Sequence, residues 1–277
     1  MKYQADSEDG RRRIFLFLLL LLAIVVGSVF AGMFFLQRKE IPEETSEETA
    51  EEFTKEIVIE TEPPVEETEA PYVSPIDFEE LWKKNPDTVG WIRIPDTMID
   101  YPIVQRAEDN EFYLHTDFEG NASVHGAIYL DSDSESDFSG WNHPIYGHHM
   151  KDGSMFKGIT KFKEEDYFKT HQYFEIYTPK RTIHLKAVAC YYSSADGIVR
   201  KTKFSSRQSF DKWMAERLAP CSFAEVPKAS VDSMFVLVTC SYETENARTL
   251  LFAVEVDEEG QFLYFNEEIT NDNFKKP

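Results

Sequence analysis

The chain has 277 residues, enough for one large domain or two small ones, and its 22 phenylalanines, 13 tyrosines and 4 tryptophans can fill a hydrophobic core. Its formal net charge of -21 argues against the phosphate backbone of a nucleic acid as a partner. The negative charge is concentrated in residues 40–72, which contain 13 glutamates and one lysine.

Residues 14–36 form an apolar stretch of 23 residues without a charge. A helix of this length, at about 1.5 Å per residue, crosses a hydrocarbon core of about 30 Å. A cleaved signal peptide is the alternative, but the stretch is long for one and no clear cleavage site follows it. Three arginines at 11–13 favour a cytoplasmic N-terminus, residues 1–13, under the positive-inside rule. The sequence therefore predicts a single-pass protein of the cell membrane, with the rest of the chain outside the cell.

Residues 37–73 are rich in glutamate, threonine and proline and poor in apolar side chains. Such a segment buries too little apolar surface to offset the entropy lost on ordering, and its like charges keep it extended. We expect a disordered acidic linker that separates the membrane anchor from a folded domain at 74–277.

The folded domain opens with helix-start residues, Ser74 and Pro75, and a helix is predicted over 75–84 because Asn85 and Pro86 end it. Short apolar runs between turn residues predict strands. The predicted strands are Val89–Ile94, Ile99–Val104, Ala127–Leu130, Pro144–Tyr146, Tyr173–Tyr177, Thr182–Tyr192, Phe235–Thr239 and Leu250–Val256, with Gln261–Phe265 as a candidate last strand.

Helical segments are fewer. Glu108–Leu114 and Glu164–Phe168 are predicted as a short helix and a helical turn. Residues 206–218 have apolar side chains at helical spacing, and Ser205 and Gln208 are placed for a capping box. Many short strands with a few inserted helices indicate a mostly β barrel or sandwich.

The chain has three cysteines, and their odd number leaves at least one without an intrachain partner. Cys190 lies in an apolar strand and Cys221 follows a helix, so both are expected in the core without a disulfide to Cys240. Cys240 ends a buried strand, and Arg248 comes eight residues later. If the two strands are antiparallel neighbours, the cation lies beside the thiol, favours the thiolate and can stabilise an oxyanion. A buried structural cysteine with a solvated arginine is the alternative.

A cysteine nucleophile needs a histidine that is distant in sequence but close in space. The segment Ile145-Tyr146-Gly147 places a strand end and a turn directly before His148 and His149, and either could serve. The remaining histidines are expected to be ordinary surface or core residues: His115, His125, His143, His171 and His184.

The acidic run Asp131-Ser-Asp-Ser-Glu-Ser-Asp137 is similar to the start of a calcium-binding loop. Ser136 and Asn142 stand where that loop needs glycine and glutamate. We therefore expect a solvated surface loop, with no metal and no cofactor.

The order of motifs along the chain resembles the sortases, and specifically their class B. The resemblance rests on a strand that ends in Thr-Cys, an arginine shortly downstream and an upstream Tyr-Gly-His-His. It extends over roughly residues 75–257 and includes the segments 85–95, 99–105, 113–118, 126–131, 146–156 and 237–243. The resemblance implies an eight-stranded β-barrel with an N-terminal helix and an additional helix before the Cys-bearing strand.

The resemblance also implies roles for individual residues. Cys240 matches the family's nucleophile, His148 its catalytic histidine and Arg248 its catalytic arginine. Three further positions match residues of the family that bind substrate: Thr239, Tyr146 and Asn110.

The implied activity is that of a cysteine transpeptidase. Such an enzyme cleaves the C-terminal sorting signal of a secreted protein through a thioester and joins the protein to a peptidoglycan amine. A class B pilin polymerase, which uses a pilin lysine as the acceptor, is a close alternative, and a simple cysteine peptidase is another. A non-catalytic, membrane-tethered binding module is the alternative from a different class.

Overall fold

Eight β-strands close into a barrel in the computed structural model, which describes residues 71–194 and 198–265. The strands are β1 (Thr88–Arg93), β2 (Asp100–Val104), β3 (Ile128–Leu130), β4 (Asn142–Tyr146), β5 (Tyr173–Tyr177), β6 (Thr182–Ser194), β7 (Met234–Cys240) and β8 (Ala247–Val256). Their order around the barrel is β1-β2-β3-β4-β7-β8-β6-β5. The predicted mostly β barrel is confirmed, and β7 lies between β4 and β8.

Short helices connect several of these strands. The α-helices of the described region are α1 (Phe78–Lys84), α2 (Glu165–Thr170) and α3 (Arg207–Leu218). Its 3-10 helices are Phe112–Leu114, Phe156–Lys163 and Ile198–Arg200. The two helices predicted before the first strand and before the Cys-bearing strand are therefore both present.

The strand β7 is apolar from Met234 to Val238 because both of its faces are covered. Phe235 and Leu237 point into the barrel core, where they are fully buried. The alternate residues Val236 and Val238 belong to a second cluster outside the barrel, which includes Trp213 of α3. Since neighbouring residues of a strand point to opposite faces, this double burial explains the continuous apolar run that ends at the cysteine.

Helix α1 begins later than the sequence predicted. The expected cap, Ser74, lies before the helix, and the carboxylate of Asp77 instead accepts a 3.0 Å hydrogen bond from the backbone N–H of Glu80. A carboxylate at this position satisfies an amide that has no partner inside the helix. The end of the helix at Asn85 agrees with the prediction.

The helix predicted over Glu108–Leu114 is wrong for most of its length, because only Phe112–Leu114 is helical. The carboxylate of Asp109 accepts hydrogen bonds from the backbone N–H groups of Glu111 and Phe112, at 2.9 and 3.1 Å. Bonds of this type offer the backbone an alternative to the helix, which explains the shorter element.

Several strands begin or end one to three residues from the predicted positions, and two further differences concern a helix cap and the last predicted strand. The capping box of α3 is formed by Ser206 and Ser209, one residue after the predicted pair Ser205 and Gln208. The predicted last strand, Gln261–Phe265, makes isolated bridges only and is not a strand of the barrel. The barrel closes without it because β5 already pairs with β1.

The 3-10 helix Phe156–Lys163 was not predicted. Phe156, Ile159 and Phe162 are all fully buried and belong to the barrel core. A 3-10 helix has three residues per turn, so residues spaced by three share one face. The helix thereby extends the barrel core beside the end of β4.

No helix within residues 71–194 and 198–265 is long and apolar enough to cross a membrane. The predicted anchor at 14–36 and nearly all of the predicted linker lie outside the described residues. The anchor and linker therefore stay predictions.

Candidate active site

Cys240 and Arg248 lie opposite each other in the antiparallel pair of β7 and β8. Directly opposite residues in such a pair have Cβ atoms about 5 Å apart and point to the same face of the sheet. Both side chains are half-buried. The antiparallel neighbourhood on which the sequence argument depended is therefore present.

The Tyr-Gly-His segment reaches the same end of the barrel by another strand. β4 runs parallel to β7, with Tyr146 level with Val238, and the N–H of Gly147 donates a 3.1 Å hydrogen bond to the carbonyl of Val238. A Cβ on Gly147 would lie 2.4 Å from Cδ1 of Ile128. Glycine is needed here because the chain leaves the strand against packed core side chains, and His148 follows directly.

The ring of His148 is oriented by a backbone carbonyl. Its Nε2 lies 2.7 Å from the carbonyl oxygen of Leu114. A carbonyl oxygen can only accept a hydrogen bond, so Nε2 carries the proton and donates it to this bond. The neutral ring then has Nδ1 as the nitrogen that can accept a proton.

The neighbouring His149 has different surroundings. Its Nε2 lies 3.5 Å from Nζ of Lys157, and its ring meets the ring of Tyr242 edge-on with centroids 4.8 Å apart. Burial and the charge of Lys157 lower the pKa of His149. His149 is absent from the lining of the cleft that holds Cys240, so the geometry favours His148 as the partner of the thiol.

A cleft of about 240 Å³ brings the predicted site residues together. Five of the six predicted residues line it: Tyr146, His148, Thr239, Cys240 and Arg248. Leu114, Tyr129, Gly147 and Val238 complete the lining. The sequence analysis assigned no role to Leu114 or Tyr129, although both lie inside segments that carried the family resemblance.

Two stacked tyrosines form one wall of this cleft. The rings of Tyr129 and Tyr146 have centroids 5.1 Å apart, and the hydroxyl of Tyr146 donates a 2.8 Å hydrogen bond to Oδ2 of Asp131. Burial, followed by the charge of Asp131, raises the pKa of Tyr146 and raises that of Tyr129 to about 12. Both phenols are therefore neutral at physiological pH and can donate hydrogen bonds.

The two other predicted binding residues differ in position. Thr239 is buried in the cleft wall, and its Oγ1 has no hydrogen-bond partner among the described residues. Asn110 lies outside the cleft lining, where its Oδ1 accepts a 2.8 Å hydrogen bond from the backbone N–H of Ser132. Asn110 thus holds the loop after β3, and a direct contact with substrate is still only a prediction.

The other two cysteines are buried, as predicted. Cys190 is 2 % exposed, and burial raises the pKa of its thiol well above the ordinary value. The thiol of Cys221 lies 3.5 Å from the carbonyl oxygen of Cys190, and all three cysteines of the chain are free thiols. Cys240 alone among them combines partial exposure with a neighbouring cation, which is the environment of a reactive thiol.

The acidic run at 131–137 is not uniformly solvated, which corrects the expectation of a surface loop. Asp131 is fully buried, and its carboxylate accepts hydrogen bonds from Tyr146 and from Nε of Arg200, the latter at 3.0 Å. The described part of the chain contains no group of three or more His, Cys, Asp or Glu side chains arranged to hold a metal ion.

Comparison with known proteins agrees with this geometry. A family model described as the sortase domain matches residues 92–256. Sortase B of Listeria monocytogenes is 32% identical over 170 residues, which cover 61% of this chain and 69% of that protein. Sortase B of Staphylococcus aureus is 27% identical over 179 residues, 64% of this chain and 73% of that protein.

Solved structures give the same result. The X-ray structure of Clostridium perfringens sortase B matches with a TM-score of 0.61 and 31% identity, over 65% of this chain and 100% of that one. A Staphylococcus aureus sortase B–substrate complex matches with a TM-score of 0.59 and 26% identity, over 65% and 84% of the two chains. The sortases are a family of cysteine transpeptidases, and the match of the sortase-domain model to residues 92–256, over the closed eight-stranded barrel, shows that this chain belongs to that family. Within that family it belongs to class B.

Proposed function

We propose that this sortase cleaves the C-terminal sorting signal of secreted proteins and joins them to an amine of the peptidoglycan. The observation that carries the proposal is the cross-strand pair of Cys240 and Arg248 in a cleft that also contains His148. Thiol, cation and imidazole at one cleft supply a nucleophile, an oxyanion partner and a proton carrier.

In the first half-reaction, the thiolate of Cys240 attacks the carbonyl carbon of the scissile peptide bond, and the carbonyl oxygen becomes an oxyanion. The guanidinium of Arg248 stabilises this charge, since a cation placed where charge develops lowers the barrier. The intermediate collapses to a thioester as the C–N bond breaks. Protonated His148 delivers its proton from Nδ1 to the leaving amine, because Nε2 is engaged by the carbonyl of Leu114.

In the second half-reaction, an incoming amine attacks the thioester carbonyl. Neutral His148 accepts the proton of the amine, and the thiolate of Cys240 leaves as the new amide bond forms. Water in place of the amine would release the acid instead, so the same site acts as a thiol protease and hydrolase when no acceptor is bound. An amine of the wall gives an anchored protein, and a pilin lysine would give a polymer.

The substrate peptide would lie along the wall formed by Tyr129 and Tyr146. Thr239 also lines the cleft and would contribute through its backbone, because its side chain alternates with those of Val238 and Cys240 and shares the core face of Leu237. Asn110 would act at the rim of the groove by holding the loop that starts at Asp131.

The proposed location is the cell membrane, with residues 1–13 inside and the barrel outside. An uncharged stretch at 14–36 supports a single-pass anchor, and the acidic linker at 37–73 would hold the barrel away from the lipid surface. Secreted substrates and wall precursors both occur on that side of the membrane.

The test uses the full chain in detergent micelles with a panel of internally quenched peptides, each with a central threonine and varied flanking residues. We expect cleavage of some members, and in the presence of triglycine a product that carries the added triglycine mass. Cys240→Ala should give neither product. If the native chain cleaves no member, or cleaves as slowly as Cys240→Ala, the proposal is wrong.

The acceptor is tested with the same peptides. A branched peptide that mimics a wall cross-bridge and a peptide with a single lysine side chain are offered together at equal concentration. Transfer to the cross-bridge amine supports wall anchoring, and preferential transfer to the lysine side chain supports the pilin polymerase.

A further inference from the structure

The buried carboxylate of Asp131 has no role in the chemistry described above. It follows β3 directly and is fully buried, whereas Asp133, two residues later, has a side chain that is 63% exposed. A carboxylate without water needs compensation by hydrogen bonds or an opposite charge. Asp131 receives both, from the hydroxyl of Tyr146 at 2.8 Å and from Nε of Arg200 at 3.0 Å.

Arg200 comes from a distant part of the chain. It ends the 3-10 helix Ile198–Arg200, which lies on the long connection between β6 and β7. Its side chain is 48% exposed, in contrast to the fully buried carboxylate of Asp131 that it meets. The pair therefore joins this connection to the end of β3.

A second, independent link holds the same connection. The side-chain amide of Asn142, at the start of β4, donates hydrogen bonds to the carbonyl oxygens of Val199 and Lys201, at 2.7 and 3.1 Å. Asn142 is buried, with 1% of its surface exposed. The backbone on both sides of Arg200 is thus fixed to the strand that carries Tyr146.

These contacts meet at the wall of the cleft. Tyr146 lines the cleft with Cys240, stacks on Tyr129 and donates a hydrogen bond from its hydroxyl to Asp131. We propose that Asp131 and Arg200 are positioning residues that hold the β6–β7 connection against the Tyr129–Tyr146 wall and so determine how tightly the substrate peptide binds. The inference rests on the proposed function and adds to it two residues that do not touch the reacting atoms.

The kinetic test uses the best-cleaved peptide of the quenched panel and the full chain. Arg200→Gln and Asp131→Asn should each raise KM about tenfold, with kcat changed by no more than about twofold. This pattern is expected when the bound substrate and the transition state lose the same amount of binding energy. The double variant should have a KM no higher than that of either single variant, because both substitutions remove the same interaction between Asp131 and Arg200. Asp133→Asn is the matched control, since the exposed carboxylate of Asp133 lies 3.6 Å from Nη2 of the same guanidinium, and the change should leave both constants unchanged.

Two readouts separate this effect from simple loss of structure. The rate at which iodoacetamide alkylates Cys240 should be unchanged in Arg200→Gln, and Arg200→Lys should restore part of the peptide affinity. An unchanged KM in both single variants would overturn the inference, as would an equal fall in kcat and kcat/KM with KM unaffected.

A third readout does not depend on turnover. Hydrogen exchange of the amides at 199–201 should be faster in Arg200→Gln than in the native chain and in Asp133→Asn, because one of the two links is lost. Unchanged exchange would overturn the inference even if the native chain cleaves peptides. Faster exchange in a chain that cleaves no peptide would keep the link between Asp131 and Arg200 but reject the proposed function.

Discussion

Cys240 and Arg248 are paired across two strands, at the point where β7 ends. Arg248 is also paired with Ser193 on the other side, so β8 is held between β7 and β6 at this level. A slip of one residue in this ladder would turn every side chain of the strand to the opposite face, and the close packing of alternate β8 residues into two different clusters opposes such an exchange. The sheet register itself therefore places the cation beside the thiol.

Arg248→Lys should lower kcat/KM for the quenched peptide by about 10²-fold, in the range found when one oxyanion donor is removed. Lysine retains the charge but not the planar fork of donors, so it stabilises the oxyanion poorly. Arg93→Lys is the control, because Arg93 lies on β1, is half-exposed and pairs with Asp100. Equal kcat/KM values for Arg248→Lys and the native chain would remove Arg248 from the mechanism.

His148→Ala should lower kcat by about 10²-fold to 10⁴-fold, which is the usual contribution of a general acid and base. His149→Ala is the matched control, since His149 contacts Lys157 and Tyr242 and does not line the cleft. Steady-state cleavage and transfer to triglycine measure both effects. Loss of turnover in His149→Ala with activity kept in His148→Ala would reverse the assignment.

The end of the barrel that holds the candidate site was predictable because its sequence signals are local. An apolar run that ends at Cys240 indicates a strand covered on both faces, and the eight-residue spacing to Arg248 fits a tight return to the same level. The turn at Gly147 likewise places His148 at a strand end. His148, and not His149, lines the cleft with Cys240, and its ring is held by the carbonyl of Leu114, 34 residues away, so only the family resemblance distinguished the two histidines beforehand.

Other features of the fold were not predictable, because they depend on contacts between residues that are distant in the sequence and leave no local sequence pattern. The burial of Asp131 requires Arg200, 69 residues later, so an acidic run by itself indicated a solvated loop. The 3-10 helix Phe156–Lys163 has apolar residues at a spacing of three, which is compatible with a helix, but the segment is only eight residues long and has poor helix formers at its centre, Gly158, Ile159 and Thr160. The cap positions of α1 and α3 were off by a few residues, because several neighbouring side chains can cap and tertiary contacts select among them.

The three cysteines should differ in reactivity in the native protein. Brief treatment with iodoacetamide should label Cys240 alone, because Cys190 and Cys221 are buried and the pKa of Cys190 is raised by burial. After denaturation all three should be labelled, and mass spectrometry of tryptic peptides measures both states. Cys190→Ala and Cys221→Ala should each retain turnover, in contrast to Cys240→Ala. Rapid native labelling of Cys190 would show that its surroundings differ from the buried core described above.

The loop that follows Cys240 is held by a polar network whose contribution to stability should be lost in acid. Burial alone would raise the pKa of Glu243, but hydrogen bonds from Lys163 and Ser241 outweigh it and lower the pKa to about 2. A carboxyl with a lowered pKa contributes stability that is present above its unfolded value of 4.5 and is lost as the pH falls toward 2. Glu243→Gln should therefore flatten the dependence of unfolding free energy on pH between these values, measured by urea denaturation. Glu245→Gln, at an exposed position of the same loop, should leave the dependence as it is in the native chain.

His143 should make the barrel less stable in mild acid. Its ring is fully buried against Phe235, with centroids 4.7 Å apart, and burial lowers its pKa from 6.5 to about 4. Between these two values the unfolded chain binds a proton at this position and the folded chain does not, so the free energy of unfolding falls as the pH falls from 6.5 to about 4. The full shift corresponds to a loss on the order of 3 kcal/mol.

The change that tests this is His143→Gln, whose amide can still donate to the carbonyl of Gly140 that Nε2 of His143 now meets at 3.1 Å. Glutamine does not titrate, so the slope of unfolding free energy against pH between 4 and 6.5 should be clearly shallower than in the native chain. His115→Gln serves as the control, because His115 is exposed and its replacement should keep the native slope. The slope, rather than the stability at one pH, is the decisive quantity. A change in packing at a buried site shifts the unfolding free energy by the same amount at every pH and leaves the slope unaltered. A His143→Gln slope equal to that of the native chain would mean that the buried imidazole takes up its proton as readily in the folded barrel as in the unfolded chain.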